Sequence, residues 1–451
     1  MRFSHRLRNQ VLLLLTFACS STASVATRDL KQNPDADVEQ FDLLDLEAVL
    51  RTMPDGPDHD YFAGILANAD NHIEESIQLL TSALPAMRKS RPDRAVAALR
   101  ALADDYMNVF RYGDAASAYE ELISRFSSQM SAQDLKDVKD DLPLARILSH
   151  APSQTIEWDG PVVLHTKRNP LGSQNLDLSI NGVQGAWLLD TGANLSVVSQ
   201  SFAQRLHLDL LPGVAQTQAG LTGIENPVRV ALLPTLQIGG ATLHNVVVMV
   251  LPDVNLNINL GKGNYQIDGI LGYPVFRSLG KITFFHDGTF QAGGTDSNGP
   301  GARMFMRRLS PIVECRVGGK DLPFTFDTGA SDTTLLVRYY REFQSESRNW
   351  KKKHEKTSGA GGIVTRTVYV RPELNLGVGD QTVVLKNVSI YTESTGAGND
   401  ERYGNLGQDV PRDFESFTFD FLKMTFRLGK PRSARKSSEN KSSYENPDVK
   451  Q

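Results

Sequence analysis

Two short segments of similar sequence carry the residues best suited to chemistry in this chain. Trp187 to Ala193 reads Trp-Leu-Leu-Asp-Thr-Gly-Ala, and Phe324 to Ala330 reads Phe-Thr-Phe-Asp-Thr-Gly-Ala. In both, an apolar stretch typical of a buried strand ends at an aspartate, Asp190 or Asp327, and a glycine permits a sharp turn. A single copy is typical of an aspartate that accepts backbone N–H bonds in a tight turn. Two copies in matched context indicate two carboxylates brought together by a duplicated fold.

The chemistry open to such a pair is general acid–base hydrolysis. Two carboxylates in close contact cannot both ionise, so Asp190 and Asp327 would share one proton. The ionised partner takes a proton from water and the protonated partner donates to a carbonyl oxygen, with no covalent intermediate. Thr191 and Thr328 are expected to hydrogen-bond to the opposite loop and hold the carboxylates in register. The alternative is that these β-branched residues only fill space.

The repeat extends well beyond the two aspartates. Further pairs of segments match in the same order, at nearly equal distances from their aspartates, as expected of duplicated domains. The pairs are Gly220–Ile224 with Gly359–Ile363, Leu236–Gly239 with Leu374–Gly377, Asn245–Val248 with Asn387–Ile390, and the segments around Gly272 with those around Gly407.

Both copies resemble the active-site loops of aspartic proteases. The alanines after Asp-Thr-Gly, Ala193 and Ala330, are closer to the retropepsin type than to the pepsin type. Ile270-Leu271-Gly272 resembles the second signature of that family, an apolar-apolar-Gly turn beneath the catalytic loop. The resemblance covers residues 160–430 and implies a mainly β fold of two homologous acid-protease-type lobes with a peptide cleft between them. It implies no cofactor and no metal, and it assigns the catalytic pair and its supporting loop residues: Asp190, Asp327, Thr191, Gly192, Thr328 and Gly329.

The Gly-rich segments match the place of the flap hairpin tips in that family. Flaps close over bound peptide, exclude water and pair with its backbone. The resemblance therefore implies that substrate binds at Gly220, Leu221, Thr222, Gly223, Gly359, Ala360, Gly361 and Gly362.

Two features of the loops depart from the pepsin pattern. Asn405 stands before Leu406-Gly407, where the second lobe would carry an apolar residue, and its amide either weakens the packing or hydrogen-bonds the loop. Alanine in place of a hydroxyl residue after Asp-Thr-Gly removes a hydrogen bond that would favour the ionised carboxylate. The sequence therefore predicts a pH optimum nearer neutral than that of acidic digestive enzymes.

Four structural regions and a signal segment are predicted. Residues 38–150 show helical periodicity, and the Tyr112-Gly113-Asp114 turn with small residues at helix crossings resembles the tetratricopeptide repeat; a plain helical bundle is the alternative. Alternating apolar residues and Gly-centred turns predict lobe one at 155–293 and lobe two at 302–430. The Lys-, Ser- and Asn-rich residues 431–451 are predicted to be disordered.

The N-terminus predicts export. Basic residues precede a short apolar run, Val11 to Ala18, and Ser24-Val25-Ala26 fits a signal-peptidase site, so residues 1–26 read as a secretory signal. We therefore expect a secreted or periplasmic protein. A transmembrane anchor is the alternative, but the apolar run is short for it. A second alternative is lipidation of Cys19, which would anchor the protein to a membrane.

Charge and cysteine content narrow the function classes. A net charge of −4 and the lack of a long basic block outside the ends of the chain give no reason to expect nucleic acid as a partner. Cys315 is the one cysteine of the mature chain and is expected in a buried strand.

The run Lys351 to His354 is interpreted as a solvated loop, with contact to an acidic partner as the alternative. Four histidines lack metal-ligand spacing: His165, His207, His244 and His286.

Two function classes follow from these observations. The first is an aspartic endopeptidase whose substrate is a peptide or protein and whose helical region contacts a protein partner. The second is a non-catalytic binding module, which uses the protease-like cleft and the helical repeats to bind peptide or protein without cleaving it. The pair of aspartates favours the enzyme, because a binding protein does not need two carboxylates in mutual repulsion.

Overall fold

The structure is a computed structural model that describes residues 33–40, 43–260, 263–294, 299–359, 362–396 and 399–432. The predicted signal segment with Cys19, the flap positions Ala360 and Gly361, and the tail from residue 433 onward lie outside the described residues. Within them the chain is helical up to Leu148 and mainly β from Thr155, which confirms the predicted fold class. In the described ranges, no helix combines the length and the apolar character needed to cross a membrane.

The N-terminal region is built from antiparallel helices. Each helix from the third to the sixth packs against the next, and the turns of the two hairpins contain Asn71 and Phe110 in the left-handed conformation, both with φ 61°. The tetratricopeptide classification stays a prediction. The helices, with the short ones of the β region, are α1 (Pro34–Gln40), α2 (Leu43–Leu50), α3 (Pro57–Ala69), α4 (Ile73–Ser90), α5 (Pro92–Asn108), α6 (Tyr112–Phe126), α7 (Ala132–Leu148), α8 (Gln200–Arg205), α9 (Tyr273–Leu279) and α10 (Val337–Glu342).

A buried carboxylate joins three of these helices. Asp105 of α5 accepts hydrogen bonds from Ser76 Oγ of α4 at 2.6 Å and from Asn68 Nδ2 of α3 at 2.8 Å. The side chain is fully buried, and loss of hydration raises its pKa to about 7 despite these donors. The helix packing therefore contains a group that changes charge near neutral pH.

The described β region contains two large sheets and one two-stranded sheet. The strands of the first half are β1 (Thr155–Trp158), β2 (Val162–His165), β3 (Lys167–Arg168), β4 (Gln174–Ile180), β5 (Val183–Leu189), β6 (Ser196–Ser199), β7 (Ala215–Ala219), β8 (Ile224–Ile238), β9 (Ala241–Leu251), β10 (Asn257–Asn259), β11 (Asn264–Gln266), β12 (Gly269–Leu271), β13 (Lys281–Phe285) and β14 (Thr289–Ala292). Those of the second half are β15 (Ala302–Arg307), β16 (Ser310–Val317), β17 (Lys320–Phe326), β18 (Thr334–Leu335), β19 (Lys351–Gly359), β20 (Gly362–Val378), β21 (Gln381–Tyr391), β22 (Gly404–Leu406), β23 (Ser416–Asp420) and β24 (Thr425–Leu428).

The two halves share one topology around each aspartate. The strand that ends at the aspartate pairs in parallel with a short strand that ends before the closing glycine, β5 with β12 and β17 with β22. The short strand then pairs antiparallel with the next one, β12 with β6 and β22 with β18. The predicted hairpin turns at Asn181-Gly182 and Gly318-Gly319 are confirmed, since all four residues have positive φ.

A second duplicated feature interrupts the longest hairpin of each half. Pro234 of β8 faces Asn245 of β9, and Pro372 of β20 faces Asn387 of β21, between flanking pairs in regular register. Proline has no N–H to donate, so the ladder breaks there. Both asparagines take the left-handed conformation, with φ 57° and 55°.

The sheets do not divide the chain as the predicted lobe boundaries do. One sheet has the order β3-β4-β5-β12-β6-β9-β8-β7, with β1 paired to β9. The other runs β19-β20-β21-β18-β22-β17-β16-β15-β24-β23-β13-β14-β2, so three strands from the first half, β13, β14 and β2, complete the sheet of the second. The predicted lobe boundaries stay a prediction.

The helical region shares its core with the β region. Val230 and Val247 of the first sheet and Phe305 and Ile312 of the second are buried in the same apolar cluster as the helices. Arg308, in the turn between β15 and β16, donates to Asp137 of α7 at 2.7 Å. The two regions therefore pack as one body.

The structure confirms the prediction for Cys315 and contradicts that for the run Lys351 to His354. Cys315 is buried in β16, as predicted, and burial raises the pKa of its thiol. The interpretation of Lys351 to His354 as a loop is wrong, because the run forms the start of strand β19. Backbone pairing with the long neighbouring strand β20 outweighs the low strand preference of lysine, and the side chains of the run remain exposed.

Candidate active site

Asp190 and Asp327 occupy equivalent places at the ends of β5 and β17. Their backbone N–H groups donate to Leu271 O at 3.1 Å and to Leu406 O at 2.9 Å, which ties each aspartate to the short parallel strand beside it. In each loop the aspartate Oδ1 accepts the N–H groups of the next Gly and Ala: 2.9 and 3.1 Å from Gly192 and Ala193, and 2.8 and 3.1 Å from Gly329 and Ala330.

Each carboxylate lies against the glycine of the opposite loop. A Cβ atom added to Gly192 would lie 2.7 Å from Asp327 Cγ, and one added to Gly329 would lie 2.7 Å from Asp190 Oδ2. Any side chain at either glycine would therefore displace a carboxylate. The two carboxyl groups are therefore close neighbours across the loops.

Thr191 and Thr328 form a reciprocal set of buried hydrogen bonds between the loops. Thr191 N–H donates to Thr328 Oγ1 at 3.0 Å, and Thr328 N–H donates to Thr191 Oγ1 at 3.2 Å. Each hydroxyl then donates to the carbonyl before the opposite aspartate: Thr191 Oγ1 to Phe326 O at 2.8 Å and Thr328 Oγ1 to Leu189 O at 2.7 Å. These four bonds fix the distance between the two loops.

The electrostatics of the pair favour a bound proton. Loss of hydration raises the pKa of Asp190 well above its ordinary value, and the neighbouring carboxyl of Asp327 raises it further. The N–H groups of Gly192 and Ala193 act in the opposite direction but are weaker. The pair therefore retains one proton at a pH where isolated aspartates are ionised.

The closing glycines lie directly beneath the loops. A Cβ atom at Gly272 would lie 2.5 Å from the carbonyl carbon of Leu195, and one at Gly407 would lie 2.6 Å from that of Asp332. The N–H of each glycine donates to a hydroxyl in the segment just after the aspartate loop, Ser196 Oγ at 3.1 Å and Thr333 Oγ1 at 3.2 Å. Only glycine allows this close approach.

Asn405 is a site residue whose role the sequence left open. Its side chain is buried in β22, and its Nδ2 donates to Asp327 Oδ2 at 3.1 Å. Of the two alternatives, hydrogen bonding to the loop is the one that the structure has. The signal in the sequence was the polar residue itself, at a position where the first half has Ile270.

The predicted flap segments form a second cluster. Gly220 to Gly223 connects β7 to β8. In the second half, β19 ends at Gly359 and β20 begins at Gly362. The two hairpin ends contact each other, since Arg366 Nη2 donates to Thr222 O at 3.1 Å. Asn399 also donates to Gly220 O, at 3.4 Å.

Helix α7 supports the first of these hairpins, a contact that the sequence did not indicate. Lys136 of α7 pairs with Glu225 of β8 at 2.6 Å. A Cβ atom at Gly213, just before β7, would lie 2.8 Å from Ile147 Cγ1. The helical region therefore touches the hairpin expected to cover substrate.

No metal centre is evident in the described ranges, which contain no group of three or more His, Cys, Asp or Glu side chains arranged to hold an ion.

Comparison with known proteins covers part of the chain. Residues 176–275, which include the first Asp-Thr-Gly and Gly272, match the family model described as aspartyl protease. Among solved structures, basic 7S globulin from soybean is similar with a TM-score of 0.39 and 12% identity, over 60% of this chain and 95% of that chain. A search of the curated proteins finds no match.

Proposed function

We propose that this protein is an aspartic endopeptidase. The observation that carries the proposal is the pairing of Asp190 and Asp327, each of which lies against the glycine of the other's loop. The match of residues 176–275 to an aspartyl protease model supports the same reaction class. A close, half-buried pair of like charges is costly to maintain, which is typical of a catalytic site rather than of a structural one.

The proposed reaction uses the one proton shared by the pair. The ionised aspartate takes a proton from water as the water oxygen bonds to the peptide carbonyl carbon, and the protonated aspartate gives its proton to the carbonyl oxygen. In the second step the first aspartate passes its proton to the leaving nitrogen while the C–N bond breaks. A hydroxyl of the tetrahedral intermediate returns a proton to the second aspartate, so the pair regains its starting state.

The remaining parts of the proposal concern substrate and location. Peptide is proposed to bind between the sheets under the two hairpin ends at Gly220–Gly223 and Gly359–Gly362, with the helical region open to a protein partner. A secreted or periplasmic location, or anchoring through Cys19, is proposed from the N-terminal sequence alone.

Cleavage of an unfolded protein tests the proposal. Asp190→Asn and Asp327→Asn keep the side-chain shape and remove one ionisable group each, and we expect a loss of at least about a hundredfold in kcat/KM from either. Asp209→Asn, at an exposed aspartate outside the loops, is the matched control and should cleave like wild type. A pepstatin-type inhibitor should block wild type.

Two results would contradict the proposal that this protein is an aspartic endopeptidase. Full activity in either dyad variant would show that the carboxylates do not act as a pair. Absence of cleavage by wild type, together with saturable binding of the unfolded protein, would instead support the alternative of a non-catalytic peptide-binding module.

A further inference from the structure

The two halves of the site differ at one equivalent position. Ile270 and Asn405 are the middle residues of β12 and β22, and they pair with Leu188 and Thr325 of the strands that lead to the aspartates. Ile270 lies in an apolar cluster. Asn405 is 6% exposed and points its Nδ2 at Asp327 Oδ2, 3.1 Å away. An amide in one half thus replaces an alkyl group in the other.

This substitution breaks the electrostatic symmetry of the pair. The two backbone N–H bonds to Oδ1 are the same in both loops within 0.1 Å. Asp327 has the additional amide donor on Oδ2. A hydrogen bond donated to a carboxylate stabilises its ionised form, so the charge of the pair is better accommodated on Asp327 than on Asp190.

We propose that Asn405 is a positioning residue that holds the negative charge of the pair on Asp327 and leaves the proton on Asp190. This inference rests on the proposed endopeptidase function. Asp327 is then the base that takes the proton from water, and Asp190 is the acid that gives its proton to the carbonyl oxygen. In the second step Asp327 returns a proton to the leaving nitrogen, and Asp190 is reprotonated by the intermediate.

The other charged groups near Asn405 do not offer the same selection. Arg402 donates to Thr325 Oγ1 at 2.9 Å, on the strand beside Asn405. Asp409 accepts from Thr333 Oγ1 at 2.7 Å and from its N–H at 3.0 Å, and burial raises the pKa of Asp409. Each is engaged by a threonine, whereas the amide of Asn405 contacts the dyad oxygen itself.

The test is the titration of the individual carboxyl carbons by 13C NMR, on the full chain labelled at aspartate. The signals of Asp190 and Asp327 are assigned from the single Asp→Asn variants, and that of Asp409 from Asp409→Asn. In wild type we expect Asp327 to ionise at lower pH than Asp190. Once the signals are assigned, the reverse order in wild type overturns the proposal before any variant at position 405 is made.

Variants at the two equivalent positions then isolate the amide. Asn405→Val removes the donor, and we expect the Asp327 midpoint to rise by about one pH unit. Ile270→Leu exchanges one alkyl group for another at the equivalent position and should shift neither midpoint. Ile270→Asn supplies a donor to the other half and should lower the Asp190 midpoint. An unchanged Asp327 midpoint in a folded Asn405→Val protein would contradict the role of the amide.

The pH profile of peptide cleavage links the amide to catalysis. In Asn405→Val the acid limb of kcat/KM should move up by about one pH unit, because the first ionisation of the pair places its charge on Asp327, which has lost the amide donor. The alkaline limb should stay in place. It reports the second ionisation, and Asp327 is already ionised before that step, so loss of the amide affects both states equally. A residue that only packs would lower the whole curve without moving its limbs. If wild type does not cleave, the enzyme proposal fails, while the NMR titration still decides the role of Asn405.

Discussion

The threonine hydrogen bonds between the loops give the sharpest stability prediction. Thr328→Val keeps the side-chain shape but removes the hydroxyl that donates to Leu189 O and accepts from Thr191 N–H. Both partners are then buried without this bond. An unsatisfied buried group costs about 1–3 kcal/mol, so the variant should lose roughly 2–6 kcal/mol of unfolding free energy. That is a large share of the total for a typical protein, about 5–15 kcal/mol.

Thr328→Ser is the matched control for this prediction. It retains the hydroxyl and both hydrogen bonds and removes one methyl group, which should cost about 1 kcal/mol. Urea unfolding followed by fluorescence gives the free energies, and cleavage is assayed at temperatures where both variants are folded. We expect the serine variant to cleave near the wild-type rate and the valine variant to lose most activity, because the carboxylates lose their register.

The mirror variant tests whether the hydrogen bonds act as a unit. Thr191→Val removes the equivalent bonds to Phe326 O and Thr328 N–H, so its loss should match that of Thr328→Val. The double valine variant should lose less than the sum, since the loops can already relax after the first change. Equal stability of the valine and serine variants would refute the assignment of the stabilisation to these hydroxyls.

Three further predictions concern groups around the site. Burial raises the pKa of Asp105 to about 7 from the ordinary value of 3.8, so the folded state binds more protons than the unfolded state between these two pH values. The free energy of unfolding should therefore fall by on the order of 4 kcal/mol as the pH rises through that window. Thermal melting of Asp105→Asn should lack this pH dependence, and parallel curves of melting temperature against pH for the two proteins would contradict the prediction. Lys136→Glu should speed hydrogen exchange in the β7–β8 hairpin, and adding Glu225→Lys should reverse this effect. The free energy of unfolding should fall by less than about 1 kcal/mol, because Lys136 and Glu225 are half exposed. Unchanged exchange would show that α7 does not restrain the hairpin. Arg366→Met removes the donor to Thr222 O and should speed exchange at both hairpin ends, whereas unchanged exchange there would mean that this bond does not hold them together.

The sequence predicts the features that depend on local pattern. An apolar run, an aspartate and a glycine turn specify the strand ends at Asp190 and Asp327 wherever they occur, and Asn181-Gly182 specifies its hairpin through positive φ. Since the pattern occurs twice with matching landmarks, the pairing of the two loops follows from duplication. The fold class of the β region could be predicted for the same reason.

Features that depend on distant contacts could not be predicted. Whether Asn405 weakens the packing or binds a carboxylate depends on the position of Asp327 in three dimensions, which no local pattern specifies. The strand at Lys351–Gly359 forms because β20 provides a long partner, against the preference of its lysines. The contact of α7 with the β7–β8 hairpin joins segments far apart in the chain, and an exposed Lys136 carries no sign of it.

Because strands of the first half complete the sheet of the second, each half depends on the other for its fold. Phe284 of β13 stacks on Phe417 of β23, with ring centroids 4.7 Å apart, across the boundary between the halves. A half expressed alone would leave such rings in water and would lack part of its sheet. The two halves should therefore behave as complementary fragments that are soluble only when both are present.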